Sequence, residues 1–396
     1  MTTPGTTPAP SRAPYLNSRL QGLGTSVFAE MSALAEATRS VNLGQGFPDT
    51  DGPEEIAEAA IAAIRAGRNQ YPPGRGVPEL LSAIAAHEKR FYGLSFDPDS
   101  EILVTAGATE AIAAAILALT EVGDEVVMFE PYYDSYAACI AMAGASRRLV
   151  QLRAPDWSFD SGELAAAITP RTRMILLNSP HNPTGKVFDA DELGAIAELC
   201  VERDLLAVTD EVYEHLVFDG KHLPLAGYPG MAERTITISS GAKTFSFTGW
   251  KVGWACAPRP LIDAVRTVKQ FLTFAGSAPF QPAIALGLGL SDSYYRGVAD
   301  ALRARRDLLA EGLAALGAEV FPTSGTFFIT TDVAPLGAGD GVEFCNALPH
   351  RCGVVAIPSS VFYDDKAAGG TFVRWTFCKR LDVLEEALVR LKRLAS

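Results

Sequence analysis

The middle of this chain alternates short, almost continuously apolar segments with longer helical ones. The predicted strands cover residues 102–105, 126–129, 174–177, 205–208 and 235–238, and helices are predicted near 132–143 and 189–203. Strands that are apolar on both faces and alternate with helices form a mostly parallel sheet that is covered on both sides. This alternation therefore predicts an α/β fold, with any ligand at the carboxyl ends of the strands.

The two ends of the chain predict a second, smaller α+β domain. A long helical region follows Pro258, broken by Pro279 and Pro282, and short strands near 326–329, 353–356 and 371–375 alternate with helices after it. We predict a large domain at 51–284 and a small domain formed by 15–50 with 285–396. Residues 1–14, rich in Thr and Pro and without an apolar stretch, predict a disordered tail.

Charge and cysteine usage restrict the kind of partner. The 396 residues include 46 acidic and 34 basic side chains, and the net charge of -12 argues against nucleic acid or an anionic membrane as a partner. The longest apolar run, 111–119, is too short to span a bilayer. The six cysteines form no CxxC pair and the five histidines are scattered. We therefore expect no metal site, reduced thiols and a cytoplasmic protein.

Unusual polar residues follow three of the predicted strands. Residues 178–186 follow one strand, 209–213 the next, and 239–254 the third. The third stretch contains Lys243 among small and apolar neighbours, where desolvation lowers the pKa of an amine and makes it a usable nucleophile. Such lysines form Schiff bases with carbonyl compounds. An isolated lysine after a strand is more often a solvated turn residue, so the functional interpretation depends on the ordered set.

This ordered set resembles the fold type I pyridoxal-phosphate enzymes, and among them the class I aminotransferases. The matching motifs extend from Gly46 to Arg374 and so cover most of the chain. The resemblance implies a large domain with a mostly parallel, seven-stranded sheet and a smaller α+β domain. It also implies pyridoxal 5'-phosphate (PLP) as cofactor, an amino acid and a keto acid as substrates, and a homodimer with shared active sites.

The resemblance implies roles for five residues around the cofactor ring. Lys243 matches the lysine that forms the Schiff base and then carries the proton as general acid and base. Asp210 matches the carboxylate that keeps the pyridine nitrogen protonated. Tyr213 and Asn182 match the groups that hydrogen-bond the phenolic oxygen, and Tyr133 matches the aromatic that stacks on the ring. Lys243, Asp210 and Tyr213 are the implied catalytic residues.

The same resemblance implies a phosphate site. Ala108 and Thr109 lie at a predicted helix N-terminus, where backbone N–H groups and the helix dipole attract an anion. Ser240 adds a hydroxyl group. Lys251 occupies a basic position where many relatives have Arg, so its grip is expected to be less directional. Tyr71 matches a tyrosine that reaches the phosphate of the neighbouring subunit.

Substrate binding is implied for a further set. Arg374 matches the arginine that clamps the substrate α-carboxylate, a geometry that suits the guanidinium fork. Gly46 matches a glycine whose backbone N–H helps to hold that carboxylate, and Asn182 is also implied to contact substrate. Aromatic residues match the walls of the substrate pocket: Phe28, Tyr132 and, from the neighbouring subunit, Phe274.

Longer strings resemble one branch of the family. Residues 41–49, 178–185, 234–240, 248–256 and 372–379 are similar to the branch of N-succinyldiaminopimelate and kynurenine–glutamine aminotransferases, and closest to the former. The resemblance implies amino transfer between glutamate and N-succinyl-2-amino-6-oxopimelate in lysine biosynthesis. No second arginine for a distal carboxylate is evident in the sequence.

Three other activities stay open. The first is a kynurenine, glutamine, aromatic or methionine aminotransferase. The second is a cysteine-conjugate β-lyase, which would use the same Lys243 and Asp210 but expel a β-substituent. The third is a ligand-sensing domain of a transcription regulator, which the short N-terminal tail and the net charge of -12 disfavour.

Overall fold

The computed structural model describes residues 15–21 and 27–394, so the predicted tail at 1–14 lies outside it. The described residues form thirteen α-helices: α1 (Val27–Thr38), α2 (Glu54–Arg65), α3 (Pro78–Tyr92), α4 (Ala108–Leu119), α5 (Asp134–Ala143), α6 (Ser161–Ala167), α7 (Ala190–Glu202), α8 (Gly241–Thr244), α9 (Arg259–Leu272), α10 (Gln281–Leu288), α11 (Asp292–Ala315), α12 (Gly341–Cys352) and α13 (Leu381–Leu391). They also form thirteen strands: β1 (Val41–Asn42), β2 (Ile102–Ala106), β3 (Glu125–Glu130), β4 (Ser146–Gln151), β5 (Thr172–Asn178), β6 (Leu206–Asp210), β7 (Thr235–Ser240), β8 (Val252–Cys256), β9 (Glu319–Val320), β10 (Phe328–Asp332), β11 (Val354–Val355), β12 (Ile357–Pro358) and β13 (Phe372–Thr376).

The large sheet has seven strands in the order β2-β8-β7-β6-β5-β3-β4. The pairs β7–β6, β6–β5, β5–β3 and β3–β4 are parallel, and β8 runs antiparallel to both of its neighbours. Helices cover both faces, with separate apolar clusters on the two sides. The predicted fold class, a mostly parallel seven-stranded sheet with a smaller α+β part, is confirmed.

Two of these strands were not among the five predicted from apolar runs. The first three residues of β4, which include Arg147 and Arg148, are exposed at the sheet edge, so this strand lacks the apolar signal of a buried one. β8 is fully buried but contains Gly253 among only five residues. Its glycine has a structural reason, because a Cβ atom there would lie 2.6 Å from the backbone nitrogen of Ala108. β8 can therefore approach the start of α4.

The smaller part of the molecule is built on an antiparallel sheet in the order β12-β13-β10-β9. A second, two-stranded sheet pairs β1 with β11 in parallel and so joins the N-terminal segment to it. Helices α1, α11, α12 and α13 contact these strands. The register places Arg374 of β13 opposite Thr330 of β10 and Ile357 of β12, in the middle of the sheet.

Helix α11 packs against both parts of the molecule, the larger part at its start and the smaller part further along. Tyr295, near its start, belongs to the cluster formed with α2, α3 and α10, whereas Leu309 and Leu313 belong to the core of the smaller sheet. The domain division after residue 284 stays a prediction. Among the described residues no helix is both long and apolar enough to cross a membrane. All six cysteines are buried as free thiols.

Candidate active site

A cavity of about 340 Å³ lies where β5, β6 and β7 end. Asn178, Asp210 and Ser240, the last residues of these strands, all line it. Most residues predicted from the sequence line the same cavity: Phe28, Gly46, Ala108, Thr109, Tyr133, Asn182, Asp210, Tyr213, Ser240, Lys243, Lys251 and Arg374. The parallel sheet brings the ends of β5, β6 and β7 together. The smaller part of the molecule adds Phe28 of α1 and Arg374 of β13, which are 346 residues apart in the chain.

Lys243 lies on α8, the short helix that follows β7 directly. Its amine lies 5.4 Å from the ring centroid of Phe327 and 5.7 Å from that of Tyr213. Desolvation by these walls lowers the pKa of Lys243 below its usual value, although Cys378 and Asp210 oppose that shift. A larger fraction of Lys243 is therefore uncharged, and available as a nucleophile and base, than of a lysine in water.

Asp210 is 6% exposed, and burial raises the pKa of its carboxyl group. The hydroxyl of Tyr136 donates to its Oδ2 at 2.6 Å. Tyr136 was not predicted from the sequence, although it follows Tyr133 by three residues, a spacing that places two side chains on one face of a helix. The two rings are 5.7 Å apart and line the same wall.

Asn178 ties the ends of β5 and β6 together. Its amide nitrogen donates to the backbone oxygen of Asp210 at 2.8 Å, and its Oδ1 accepts from the backbone nitrogen of Asn182 at 2.7 Å. The side-chain oxygen of Asn182 accepts from Arg374, which leaves its amide nitrogen to donate to a ligand. Burial raises the pKa of Tyr213 well above its usual value, so its hydroxyl keeps its proton at neutral pH.

The other end of the cavity suits an anion. The N-cap residue of α4, Gly107, has φ 78°, and no side chain of the described chain caps this helix, so first-turn N–H groups are free to bind. The amine of Lys251 lies over Gly107, where an added Cβ atom would be 3.0 Å from Nζ. Ser240 lines the same cavity. A helix N-terminus, a cation and a hydroxyl together form a phosphate site.

Arg374 is 1% exposed and lies among three aromatic rings. Its guanidinium carbon is 3.9 Å from the ring centroid of Phe328, 4.9 Å from Phe362 and 5.1 Å from Phe28. One terminal nitrogen donates to Asn182 at 3.0 Å and the other to the backbone oxygen of Gly44 at 2.9 Å. Its Nε has no partner among the described residues. Because buried charges are normally paired, the site is suited to a carboxylate.

Desolvation lowers the pKa of Arg374 to about 10, so the guanidinium remains charged at neutral pH. Gly46 lies beside it. A Cβ atom at Gly46 would be 2.4 Å from Cζ of Phe328, so only glycine fits against this ring. The close contact brings the backbone of Gly46 to the wall of the cavity near the arginine.

Three predicted residues lie elsewhere. Tyr132 lines a neighbouring cavity, and its hydroxyl donates to Asp364, which also accepts two hydrogen bonds from Arg147. Tyr132 is therefore not a wall of the cavity that contains Lys243. Tyr71 and Phe274 are 79% and 55% exposed, with their rings 5.5 Å apart, and they line no part of it either. Their predicted contribution to a neighbouring subunit stays a prediction.

The family described as aminotransferase class I and II matches residues 38–391. The chain belongs to this family. Enzymes of the family depend on PLP, and the cavity fits that cofactor: it has a desolvated lysine, a buried carboxylate and an uncapped helix N-terminus beside a cation. The predicted family, activity class and cofactor are confirmed.

Several aminotransferases are similar to the chain over nearly its whole length. The relative named Probable N-succinyldiaminopimelate aminotransferase DapC, from Mycobacterium tuberculosis, is 55% identical over an alignment of 390 positions that covers 96% of this chain and 98% of that one. The solved structure of N-succinyldiaminopimelate aminotransferase from the same organism superposes with a TM-score of 0.94 and covers 96% of this chain and 100% of that one. Methionine aminotransferase of Escherichia coli is 41% identical, over 95% of this chain and 98% of that protein. Human kynurenine–oxoglutarate transaminase 3 is 38% identical, over 93% of this chain and 89% of that protein.

Proposed function

We propose that this aminotransferase interconverts N-succinyldiaminopimelate and N-succinyl-2-amino-6-oxopimelate, in the cytoplasm, as part of lysine biosynthesis. Glutamate donates the amino group to N-succinyl-2-amino-6-oxopimelate, and in the reverse direction the keto acid of glutamate accepts it. The observation that carries the proposal is the 55% identity with the Mycobacterium tuberculosis relative over nearly the full length of both chains. The E. coli methionine aminotransferase is 41% identical over a similar extent.

The proposed mechanism assigns one task to each part of the cavity. When bound, PLP supplies a reactive carbonyl carbon and a ring that accepts electrons from the substrate carbon. Lys243 removes the proton from the substrate Cα and returns it, which its lowered pKa favours. Asp210, which Tyr136 holds by a hydrogen bond, would face the ring nitrogen of the bound cofactor, and its negative charge would keep that nitrogen protonated. Tyr213 and Asn182 would donate hydrogen bonds to the phenolic oxygen.

The two anionic ends are bound separately. The start of α4, Ser240 and Lys251 hold the phosphate, and Arg374 holds the α-carboxylate of the amino acid. Because Arg374 already lies between aromatic rings, it needs little rearrangement to accept a carboxylate at Nε. This arrangement binds every α-amino acid in the same way and does not by itself select one.

Selectivity must come from the rest of the pocket. The cations that line the cavity are Lys243, Lys251 and Arg374, and all three have assigned tasks. Arg147, in the neighbouring cavity, is already paired with Asp364 at 2.8 and 2.9 Å. The distal carboxylates of the proposed substrate therefore need groups from outside this cavity, and we infer that a second subunit supplies part of the pocket.

Exposed apolar residues favour such a homodimer. Tyr71, Phe271, Leu272 and Phe274 are between 49% and 83% exposed, and Tyr71 packs edge-on against Phe274. Apolar side chains grouped on a surface mark protein contact sites. In the proposed dimer Tyr71 reaches the phosphate and Phe274 the substrate pocket of the neighbouring subunit.

A methionine aminotransferase is the second candidate. The aromatic rings of Phe28, Phe328 and Phe362 around Arg374 favour an apolar substrate side chain, and an E. coli relative of that name is 41% identical. A kynurenine or glutamine donor and a cysteine-conjugate β-lyase activity are tested by the same experiment.

The test is a panel of half-reactions followed through the absorbance of the bound cofactor. The purified holoenzyme is mixed with N-succinyldiaminopimelate, methionine, kynurenine, glutamine or phenylalanine. We expect kcat/KM to be at least about tenfold higher for N-succinyldiaminopimelate. A higher value for any other donor would reject the substrate and leave the family unchanged. Release of pyruvate from a cysteine conjugate without a keto acid would establish the lyase activity.

A further inference from the structure

Behind the cavity wall lies a buried cluster of acids and histidines. It contains His87 and Glu88 of α3 together with Glu211, Glu214, His215 and His222. The acids and two of the histidines are between 1% and 8% exposed. Buried charges are costly unless they are paired, so a cluster of this size in one place needs an explanation. None of its members lines the cavity that contains Lys243.

The cluster is attached to the cavity through the segment that follows β6. Asp210 and Tyr213 line the cavity, whereas Glu211 and Glu214 point into the cluster. The carboxylates of these two glutamates accept hydrogen bonds from residues of β6 and β7. Glu211 accepts from the hydroxyl of Thr209 at 2.7 Å, and Glu214 accepts from the hydroxyl of Ser239.

The two hydroxyl donors occupy matching places in the sheet. Thr209 is the residue before Asp210 at the end of β6, and Ser239 is the residue before Ser240 at the end of β7. Successive residues of a strand face opposite sides. Each bond to a glutamate therefore fixes a strand end from the side away from the cavity and leaves the next residue facing the ligand.

The histidines complete the cluster. Nε2 of His222 lies 2.6 Å from Glu211, and Nε2 of His87 lies 2.7 Å from Nε2 of His215. Two facing imidazole nitrogens at this distance share one proton. The pKa of His87 is raised, because the nearby Glu214 and Glu88 outweigh the effect of burial, and burial lowers the pKa of His215. His87 is therefore the donor and His215 the acceptor.

Glu214, His87 and His215 could also hold a metal ion, since their ligand atoms lie within 4.8 Å of one another. Nitrogen ligands about 2.0–2.1 Å from a tetrahedral zinc are separated by about 3.3 Å. The observed 2.7 Å fits a hydrogen bond and is too short for two ligands of one ion. The geometry favours a shared proton.

We propose that Glu211 and Glu214 are positioning residues for cofactor binding: through Thr209 and Ser239 they hold Asp210 and Ser240 in place from behind the sheet. The proposal rests on the proposed roles of Asp210 and Ser240. On the side of the cluster, His222 contacts Glu211 at 2.6 Å, and Glu214 interacts electrostatically with His87. This part of the molecule orients the reacting groups without touching the ligand.

The test removes one link and measures PLP affinity. Ser239→Ala deletes the hydroxyl that donates to Glu214, and its matched control is Thr237→Val on the same strand and face. Thr237 is 3% exposed and its hydroxyl has no partner among the described residues, so its loss breaks no link. We expect the Kd for PLP, measured by titrating the apoenzyme, to rise about tenfold or more in Ser239→Ala and to stay within about twofold in Thr237→Val.

The measurement uses no amino acid, so an error in the proposed substrate would not affect it. A lower melting temperature of Ser239→Ala with the Kd of the control would overturn the proposal, because the link would then be structural only. If Ser239→Ala does not fold, Thr209→Val cuts the other link and gives the same comparison. Finding about one zinc ion per chain in the purified protein would also overturn it, since a metal would then organise the cluster.

Discussion

Lys251 lies directly across Gly107. An added Cβ atom at Gly107 would be 3.0 Å from both Cε and Nζ of the lysine, and each of the two residues has a positive φ, 55° for Lys251 and 78° for Gly107. The lysine amine can reach the start of α4 only because residue 107 has no side chain. Gly107 thus supports the proposed phosphate site twice, through its backbone conformation and through the space it leaves.

Gly107→Ala should therefore weaken PLP binding by about tenfold or more, because the methyl group strains the turn and displaces the Lys251 amine. The matched control is Gly93→Ala, which also has a positive φ, 71°, at a helix end but has no atom within 4 Å of the added methyl group. Both variants should lose about 1 kcal/mol of stability. Equal PLP affinities in the apoenzyme titrations of the two variants would contradict the phosphate site.

Lys243→Ala should lower turnover by about four orders of magnitude or more, because it removes both the nucleophile and the base. Lys186→Met is the control, since its amine pairs with Glu192 at 2.7 Å outside the cavity. It should keep turnover within about twofold of the unsubstituted protein. Steady-state assays and circular dichroism of both variants check this. Substantial turnover in folded Lys243→Ala would reject the assigned role.

Arg374→Lys should raise KM for every amino donor alike and cost about 2–3 kcal/mol in kcat/KM, because one ammonium cannot replace the planar fork. Arg306→Lys is the control. Its guanidinium donates to Asp219 and to the backbone oxygen of Thr323, and none of these three residues lines the cavity, so kcat/KM should not change beyond about twofold. A loss confined to one donor would show that Arg374 reads the side chain instead of the α-carboxylate.

Adjacent tyrosines should respond differently. Tyr133→Ala should lower PLP affinity, since Tyr133 lines the cavity, whereas Tyr132→Ala should leave PLP affinity unchanged within about twofold. Tyr132→Ala should instead lower the melting temperature, because it removes a buried aromatic ring and its partly buried hydrogen bond to Asp364. Apoenzyme titration and thermal unfolding of the pair separate the two effects. Equal losses of affinity would place both residues at the cofactor.

The buried pair His222–Glu211 predicts a pH dependence of stability. Burial lowers the pKa of His222, but Glu211, Glu214 and Glu88 outweigh it, so the pKa in the folded state lies above 6.5. A raised pKa stabilises the fold fully below pH 6.5, and this contribution is lost as the pH rises through the folded-state pKa. His222→Gln should therefore cost about 3 kcal/mol of unfolding free energy at pH 6 and less at higher pH.

Urea unfolding of the unsubstituted protein and of His222→Gln between pH 6 and pH 9 measures the gap in unfolding free energy between them. The other neighbours of His222 are the ring of Tyr92, at 5.4 Å, and His215, whose own pKa is lowered. His215→Gln is the matched comparison. Because the pKa of His215 is lowered in the folded state, its contribution to the stability of the fold is not lost as the pH rises over this range. A gap that widens with rising pH in His222→Gln would show that the pair is not charged.

Much of the cavity was predictable because its residues follow apolar strands. The ends of β5, β6 and β7 are evident from the sequence, and parallel topology then brings Asn182, Asp210 and Lys243 together. Tyr136 could also have been predicted, because the helical spacing places it on the same face as Tyr133. The histidine cluster was not, because His87 and His215 are 128 residues apart and share no pattern. Tyr132 and Tyr133 are neighbours in sequence, and only the direction of the turn before α5 separates their surroundings.

Arg374 joins three distant stretches of the chain: its own strand in the smaller sheet, Asn182 after β5, and the backbone of Gly44 in the N-terminal segment. A substrate carboxylate must use a guanidinium whose other hydrogen bonds already hold the seam between the two sheets. Substrate affinity and the mechanical cohesion of the molecule thus depend on the same planar group. An amino acid whose carboxylate binds Arg374 therefore also strengthens the contact between the two sheets.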